Sequence, residues 1–290
     1  MDEPAQRTVT QTIEPSLVRE GAGVLLRRSF GPSRANRFDP FLLFDHFALN
    51  DPREGPLAGF PMHPHRGIET VTYMLEGTVH HADSLGNKGV IGPGDVQWMT
   101  SGRGILHEEM PDRSERGVIN GFQLWVNLPA ERKMSAPRYQ EIVAADLPVL
   151  EEAGASIRLV AGERNGRLGP ARDIAVQPLY MDVALAGEAR LDIPIPRGHA
   201  ALAYVFEGEG EFGIDGGGRG EDVSSVAMVI FSDGDVLRVR AKSAQGCRFM
   251  VMAGAPLNEP VVPYGPFVMN TEDEIRQTLE DLRSGTFAAP

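Results

Sequence analysis

An all-β chain of two related β-barrels, carrying a short C-terminal helix, is what the sequence predicts, on three observations. Glycine and proline are abundant, 33 and 22 in 290 residues, which suits many short strands joined by turns rather than long helices. Short runs of alternating apolar and polar residues recur along the chain, separated by Gly, Asp and Pro. The second half also repeats the first in places. Tyr73-Met74-Leu75-Glu76-Gly77 matches Tyr204-Val205-Phe206-Glu207-Gly208, and the Gly92-Pro93-Gly94-Asp95-Val96 turn matches Phe231-Ser232-Asp233-Gly234-Asp235-Val236 in role. Repeated strand clusters with Gly-Asp turns point to paired barrels.

In chain order, strands are expected at Val24-Leu25-Leu26 and Phe41-Leu42-Leu43-Phe44, followed by a turn-rich stretch from Asn50 to Pro61. Ile68 to Leu75 alternates and ends at Glu76-Gly77; Val79 to Ala82 returns as its partner strand. Ser84 to Gly89 reads as a turn. Val90-Ile91 and Val96 to Met99 flank Pro93-Gly94-Asp95, and Gly117 to Leu128 is strongly β-like. The second block places strands at Leu179–Leu185, Ala201–Phe206, Glu211–Ile214, Ser225–Phe231, Val236–Val239 and Phe249–Ala253. Thr271-Glu272-Asp273-Glu274 is a capping box that opens a helix. Ile275, Leu279 and Leu282 fall on one face of it, and Gly285 stops it. A linker between Pro137 and Pro148 divides the chain into domains 1–140 and 141–290, the second including the helix.

Composition removes several function classes. With 42% apolar residues a sizeable core can be buried, yet no window approaches the ~20 apolar residues of a membrane span. The N-terminal MDEPAQRTVTQTIEP has neither the basic start nor the apolar run of a secretory signal. Cys247 is the sole cysteine, so no internal disulfide forms, and a cytoplasmic location is expected. The net charge of −12 repels phosphate backbones and anionic lipid, so neither nucleic acid nor membrane is an expected partner. Arg27-Arg28 and the Arg34–Arg37 stretch read as solvated turn residues.

The chemistry concentrates in two segments. In extended chain, side chains at i and i+2 share a face. His63 and His65 therefore project together, with Pro64 turned away. Proline donates no ladder hydrogen bond, which places the pair at a strand start or edge. The same period puts His107 and Glu109 on one face and Glu108 on the other. A lone buried histidine is usually a hydrogen-bonded core residue; two such pairs, each near glycines, point instead to a metal. If the pairs lie on neighbouring strands they converge. Three imidazoles and a carboxylate suit Fe(II) first, with Mn, Ni, Cu and Zn as alternatives. The missing thiolates argue against structural zinc or an iron–sulfur cluster. Neutral imidazoles, one carboxylate and a divalent ion sum to about +1, which favours an ionised hydroxyl.

Other residues are weaker candidates. Glu69 lies four after His65 and is expected to orient an imidazole or, less directly, to ligate or take a proton. Phe60, Met62 and Trp98 are expected to wall a pocket, with Gln123 facing inward on its strand. His80-His81 point to opposite faces and read as a surface turn. His46, His199 and Cys247 read as structural.

These segments resemble the pirin family of the cupin superfamily. The strings that carry the resemblance are Phe38-Asp39-Pro40-Phe41-Leu42, His63-Pro64-His65-Arg66-Gly67, Gln97-Trp98-Met99-Thr100, Gly102 to Pro111, Gln123 to Leu128 and Gly265 to Thr271. The resemblance implies a bicupin of two cupin-type barrels, with metal ligands on His63, His65, His107 and Glu109. Glu69 sits where many other cupins place a ligand. The second half lacks a His-x-His around Pro194–His199, so a metal-free C-terminal barrel is expected. The resemblance also implies a quercetin 2,3-dioxygenase-like oxidoreductase acting on a phenolic or enol substrate and O2, with Glu109, or else Glu69, taking the hydroxyl proton. Its alternative is a redox- or metal-sensing regulator that binds a transcription factor or metabolic enzyme.

Overall fold

The computed structural model describes residues 4–48, 58–114 and 117–288. Residues 50–57 of the expected Asn50–Pro61 turn stretch lie outside the described residues. The chain forms two units of β-sheet. The described residues of Ser16–Ala144 and Leu257–Pro290 make one, here the site lobe. Those of Met1–Pro15 and Ala145–Pro256 make the other.

These units differ at the chain ends from the expected 1–140 and 141–290 domains. The passage at Ala144–Ala145 does fall inside the expected linker. The ends, however, are exchanged between units. Gln6–Arg7 pairs with Val236–Ala241, and Val9–Ile13 with Ala227–Phe231, both in the second unit. The C-terminal helix belongs to the site lobe, where its Ile275 packs with Val262, Phe267 and Met269. The physical reason is that edge strands and amphipathic faces are completed by whatever apolar surface lies near, and sequence order does not limit that.

Two antiparallel sheets and the hairpin Val262–Tyr264/Phe267–Met269 build the described part of the site lobe. One runs, in spatial order, Arg138–Ile142, Val96–Thr100, Ile68–Glu76, Asn120–Asn127, Phe41–Phe47, Val24–Phe30 and Ser16–Glu20. The other runs Phe60–His65, Ile105–Asp112, Thr78–Asp83 and Lys88–Ile91. Phe60–His65 is thus an edge strand, as its two prolines require, since neither can donate to a neighbour on both sides. Leu42, Phe44, Val71, Trp98, Phe122 and Leu124 are fully buried. Full burial of one such side chain contributes about 1.5–3 kcal/mol.

In the second unit an apolar core runs from Ile157 and Met181 to Phe249 and Val251. The two strands expected at Ala201–Phe206 and Glu211–Ile214 are one strand, Ala200–Phe212, bent at a register shift between Val205 and Glu207. Gly208 there has φ +72°, and its sequence counterpart Gly77 has φ +79°. The repeated Glu-Gly therefore makes the same left-handed bend in both halves, a conformation that suits glycine.

The helix, Glu272–Ser284, is the one α-helix among the described residues. Thr271 Oγ1 accepts from the Glu274 amide at 3.2 Å, and Glu274 Oε2 accepts from the Thr271 amide at 2.8 Å. Gly285 closes it at φ +79°. Among the described residues no helix is long and apolar enough to cross a membrane.

Candidate metal centre and its cavity

Phe60–His65 and Ile105–Asp112 are antiparallel neighbours, with His107 opposite His63 and Ile105 opposite His65. That register brings the two sequence-distant pairs together. One ring nitrogen from each of His63, His65 and His107 lies within 4.8 Å of the other two. His107 and Glu109 are buried and Glu108 less so, as the two-residue period requires, despite a bulge between His107 and Glu109.

Two of the three imidazoles are oriented by backbone carbonyls. His63 Nδ1 is 2.9 Å from the Pro61 carbonyl oxygen, and His65 Nδ1 is 3.3 Å from that of Pro266. A carbonyl only accepts, so both Nδ1 atoms carry the proton and both Nε2 atoms present lone pairs. Those two Nε2 atoms are 3.1 Å apart. Burial, then the neighbouring His63, pushes His65 down to about 3. Burial, then His65 and His63, holds His107 well below the ordinary histidine value. Both rings are therefore neutral at pH 7. His107 is 1% exposed, and neither of its ring nitrogens has a hydrogen-bond partner among the described residues. Facing lone pairs and an orphaned buried imidazole are unfavourable alone and satisfied by a cation between them. The cluster fits a single transition-metal ion.

Glu109 lines the same cavity as His63 and His65 but lies outside the tight group of three histidines. Burial raises its carboxyl above the usual carboxylate range, against the lowering effects of His63 and the Thr72 hydrogen bond. Thr72 Oγ1 is 3.1 Å from Glu109 Oε1 and 2.7 Å from the Gln123 side-chain amide. Thr72 has one proton to give, and both the Gln123 side-chain oxygen, at the shorter distance, and Glu109 Oε1 stand to accept it.

The cavity is about 420 Å³, within the ~300–1,000 Å³ of small-molecule sites. Val24, Leu43, Phe47, Phe60, Val79 and Trp125 supply apolar wall. Trp125 meets His65 edge-on at 5.1 Å between ring centroids. Sequence reasoning passed over Trp125, although it shares a strand face with Gln123 two residues earlier.

Three expected site residues lie elsewhere. Met62 is 48% exposed, so it faces solvent rather than the pocket. Trp98 is fully buried and does not line the cavity; its Nε1 donates to Glu69 Oε2 at 3.1 Å. Glu69 Oε1 accepts from Thr100 at 2.7 Å. Glu69 therefore serves Trp98 and Thr100 on the neighbouring strand, away from the imidazoles and the cavity, where burial raises its carboxyl. His81, expected in a surface turn, is buried in a strand opposite Glu109 and bonds Glu141 at 3.0 Å. His46 is structural as expected, bonded to Asn120 at 2.9 Å. Arg28, read as a solvated turn residue, lines the cavity.

Comparison with known proteins agrees with this architecture. Residues 23–126 match the Pirin family model, and residues 180–288 match that of the Pirin C-terminal cupin domain. The chain is 44% identical over 278 residues to a Pseudomonas aeruginosa protein provisionally named quercetin 2,3-dioxygenase, covering 93% of this chain and 94% of that one. It is 42% identical over 283 residues to a Pirin-like protein of Caulobacter vibrioides, covering 97% and 99%. The crystal structure of a quercetin 2,3-dioxygenase from Acinetobacter baumannii superposes with a TM-score of 0.87 at 35% identity, covering 98% and 99%.

Proposed function

The chain belongs to the pirin family, and from that premise we propose that it is a metal-dependent dioxygenase opening flavonols such as quercetin, with His63, His65, His107 and Glu109 as ligands. The observation that carries the reading is a cavity lined by His63, His65, Glu109 and apolar walls, with the buried His107 converging on the same two imidazoles. A relative named for that activity, over nearly the full length of both chains, supports it.

The imidazole–carboxylate set suits Fe(II), with manganese, nickel, copper and zinc as alternatives. Such an ion supplies the positive charge that favours an ionised hydroxyl and, when redox-active, the reactivity toward dioxygen. Dioxygen is the oxidant and the flavonol the reductant, so no outside electron donor is required. The residues do the rest. Glu109, raised by burial, is the group placed to take the hydroxyl proton, and the Thr72 hydroxyl holds its oxygen in position. The Pro61 and Pro266 carbonyls keep the His63 and His65 lone pairs turned toward the centre. Phe60, Leu43 and Trp125 hold a flat ring system and displace water from it.

Loss of quercetin absorbance in air tests the reading. It should depend on added metal and disappear in His63→Ala. Protein loaded in turn with each of the five metals and still inert toward quercetin would overturn it.

A further inference from the structure

Arg28, Asp45, Gln123 and Thr72 sit opposite one another on four neighbouring strands. Arg28 pairs with Asp45, Asp45 with Gln123, and Gln123 with Thr72. Directly opposed residues share a sheet face, and all four line the cavity. They form one polar row across a floor whose surroundings are largely apolar. At one end Thr72 bonds Glu109, beside the histidines. At the other, Arg28 Nε and Nη2 fork onto Asp45 at 2.8 and 2.7 Å, and Nη1 donates to Glu20 at 2.7 Å. Three strand steps of about 4.8 Å separate the ends by roughly 14 Å along the sheet.

The remote end has a definite chemistry. Two carboxylates face one guanidinium, so the cluster carries a net charge of −1. A third carboxylate, Glu109, lines the same cavity. An anionic ligand group is thus disfavoured there. A carboxylate offers about four acceptor sites, and the bonds named above use two on Asp45 and one on Glu20. The end therefore has acceptor capacity to spare for hydroxyl donors, while Arg28 fixes the carboxylates in place. Asp45 is 4% exposed, so its orientation is held by packing as well as by the fork.

We propose that Arg28, Asp45 and Glu20 form a second recognition point, which selects polyphenols bearing hydroxyl groups on the ring remote from the metal centre. The proposal rests on the flavonol reading of the cavity and deepens it: the centre takes the reacting hydroxyl, and this cluster reads the substitution of the distal ring. Asp45 and Glu20 accept the distal hydroxyl protons, and Arg28 positions both.

The test is binding, measured under nitrogen with the metal-loaded full chain so that turnover does not enter. The probes are quercetin, with two hydroxyls on its distal ring, and galangin, the same flavonol with none. The wild type should bind quercetin about tenfold tighter, equivalent to about 1.4 kcal/mol. In Glu20→Leu, at a half-buried position, and in Asp45→Asn, the ratio should fall to about one. Collapse of the ratio in either variant supports the proposal, so a poorly folding Asp45→Asn leaves the test standing on Glu20→Leu. A cluster serving the fold alone would shift stability and leave the ratio untouched. A wild-type ratio near one, or a ratio unchanged in both variants, overturns the proposal and leaves the flavonol reading intact. Failure of the wild type to bind either flavonol overturns both.

Discussion

His107 is held at an energetic disadvantage that only a ligand relieves. A buried polar group without a partner costs about 1–3 kcal/mol, and both of its ring nitrogens are in that position. His107→Leu, close to it in volume, should therefore lose the metal while raising the melting temperature of the metal-free protein. At about 2–4 °C per kcal/mol for a lobe of this size, the gain is a few degrees. Elemental analysis and a thermal melt of apo protein check it; a lower apo melting temperature would mean that His107 is structural. The four candidate ligands were legible because a two-residue period fixes which side chains share a face, whatever the rest of the fold does. Arg28, Asp45 and Thr72 were not, because their roles come from cross-strand partners 8 to 37 residues away. Trp98 and Glu69 misled for the same reason: parity gives the face of a strand and not which of the two faces lines the cavity.

Between elements, the tie that matters most to the site is Lys133. It is 1% exposed, and its Nζ donates to the carbonyls of Gly67 and Val268 at 2.8 Å and to Asn127 Oδ1 at 2.7 Å. It thus joins the turn after His65 to the C-terminal hairpin that supplies the Pro266 carbonyl. Arg66 adds a second tie, donating to Asp281 on the helix at 2.6 Å. Below pH 7, where the ammonium has three protons to donate, Lys133→Met orphans three buried acceptors at about 1–3 kcal/mol each, which outweighs relief of a buried ammonium; a net loss of about 2–4 kcal/mol is expected there. Burial pushes Lys133 down to about 7. Between pH 7 and its ordinary value near 10.5 the unfolded chain keeps a proton that the folded chain has released. Native stability therefore rises with pH across that window, by up to about 1.4 kcal/mol per pH unit. Urea titrations at pH 7 and pH 9 should show this slope in the wild type and not in Lys133→Met; parallel slopes would refute it. The helix itself was readable from its capping box and Gly285. Its buried face was read less well: Thr278 is fully buried where Leu282 was expected, because Thr278 receives the Arg66 guanidinium.

At the scale of the whole molecule, the exchange of chain ends sets the outcome of truncation. The internal repeat between halves was visible in the sequence, but a repeat marks where strands recur and not which terminal segment completes which sheet. Removing Leu257–Pro290 takes away the Pro266 carbonyl that orients His65, the Val268 acceptor of Lys133 and the Asp281 partner of Arg66. Removing residues 4–15 instead takes the strands paired with Val236–Ala241 and Ala227–Phe231, along with Arg7, which is fully buried and bonds the carbonyls of Pro196, His199 and Ser232. The C-terminal truncation should thus lose the metal, with affinity falling by more than ~10–100-fold, the usual effect of losing the partners that orient ligands. The N-terminal truncation should destabilise the second unit while the protein still binds metal with near wild-type affinity. Equilibrium metal titration of both truncated chains separates the two. Equal loss of metal in both would show that the site depends on the whole chain rather than on the lobe that carries it.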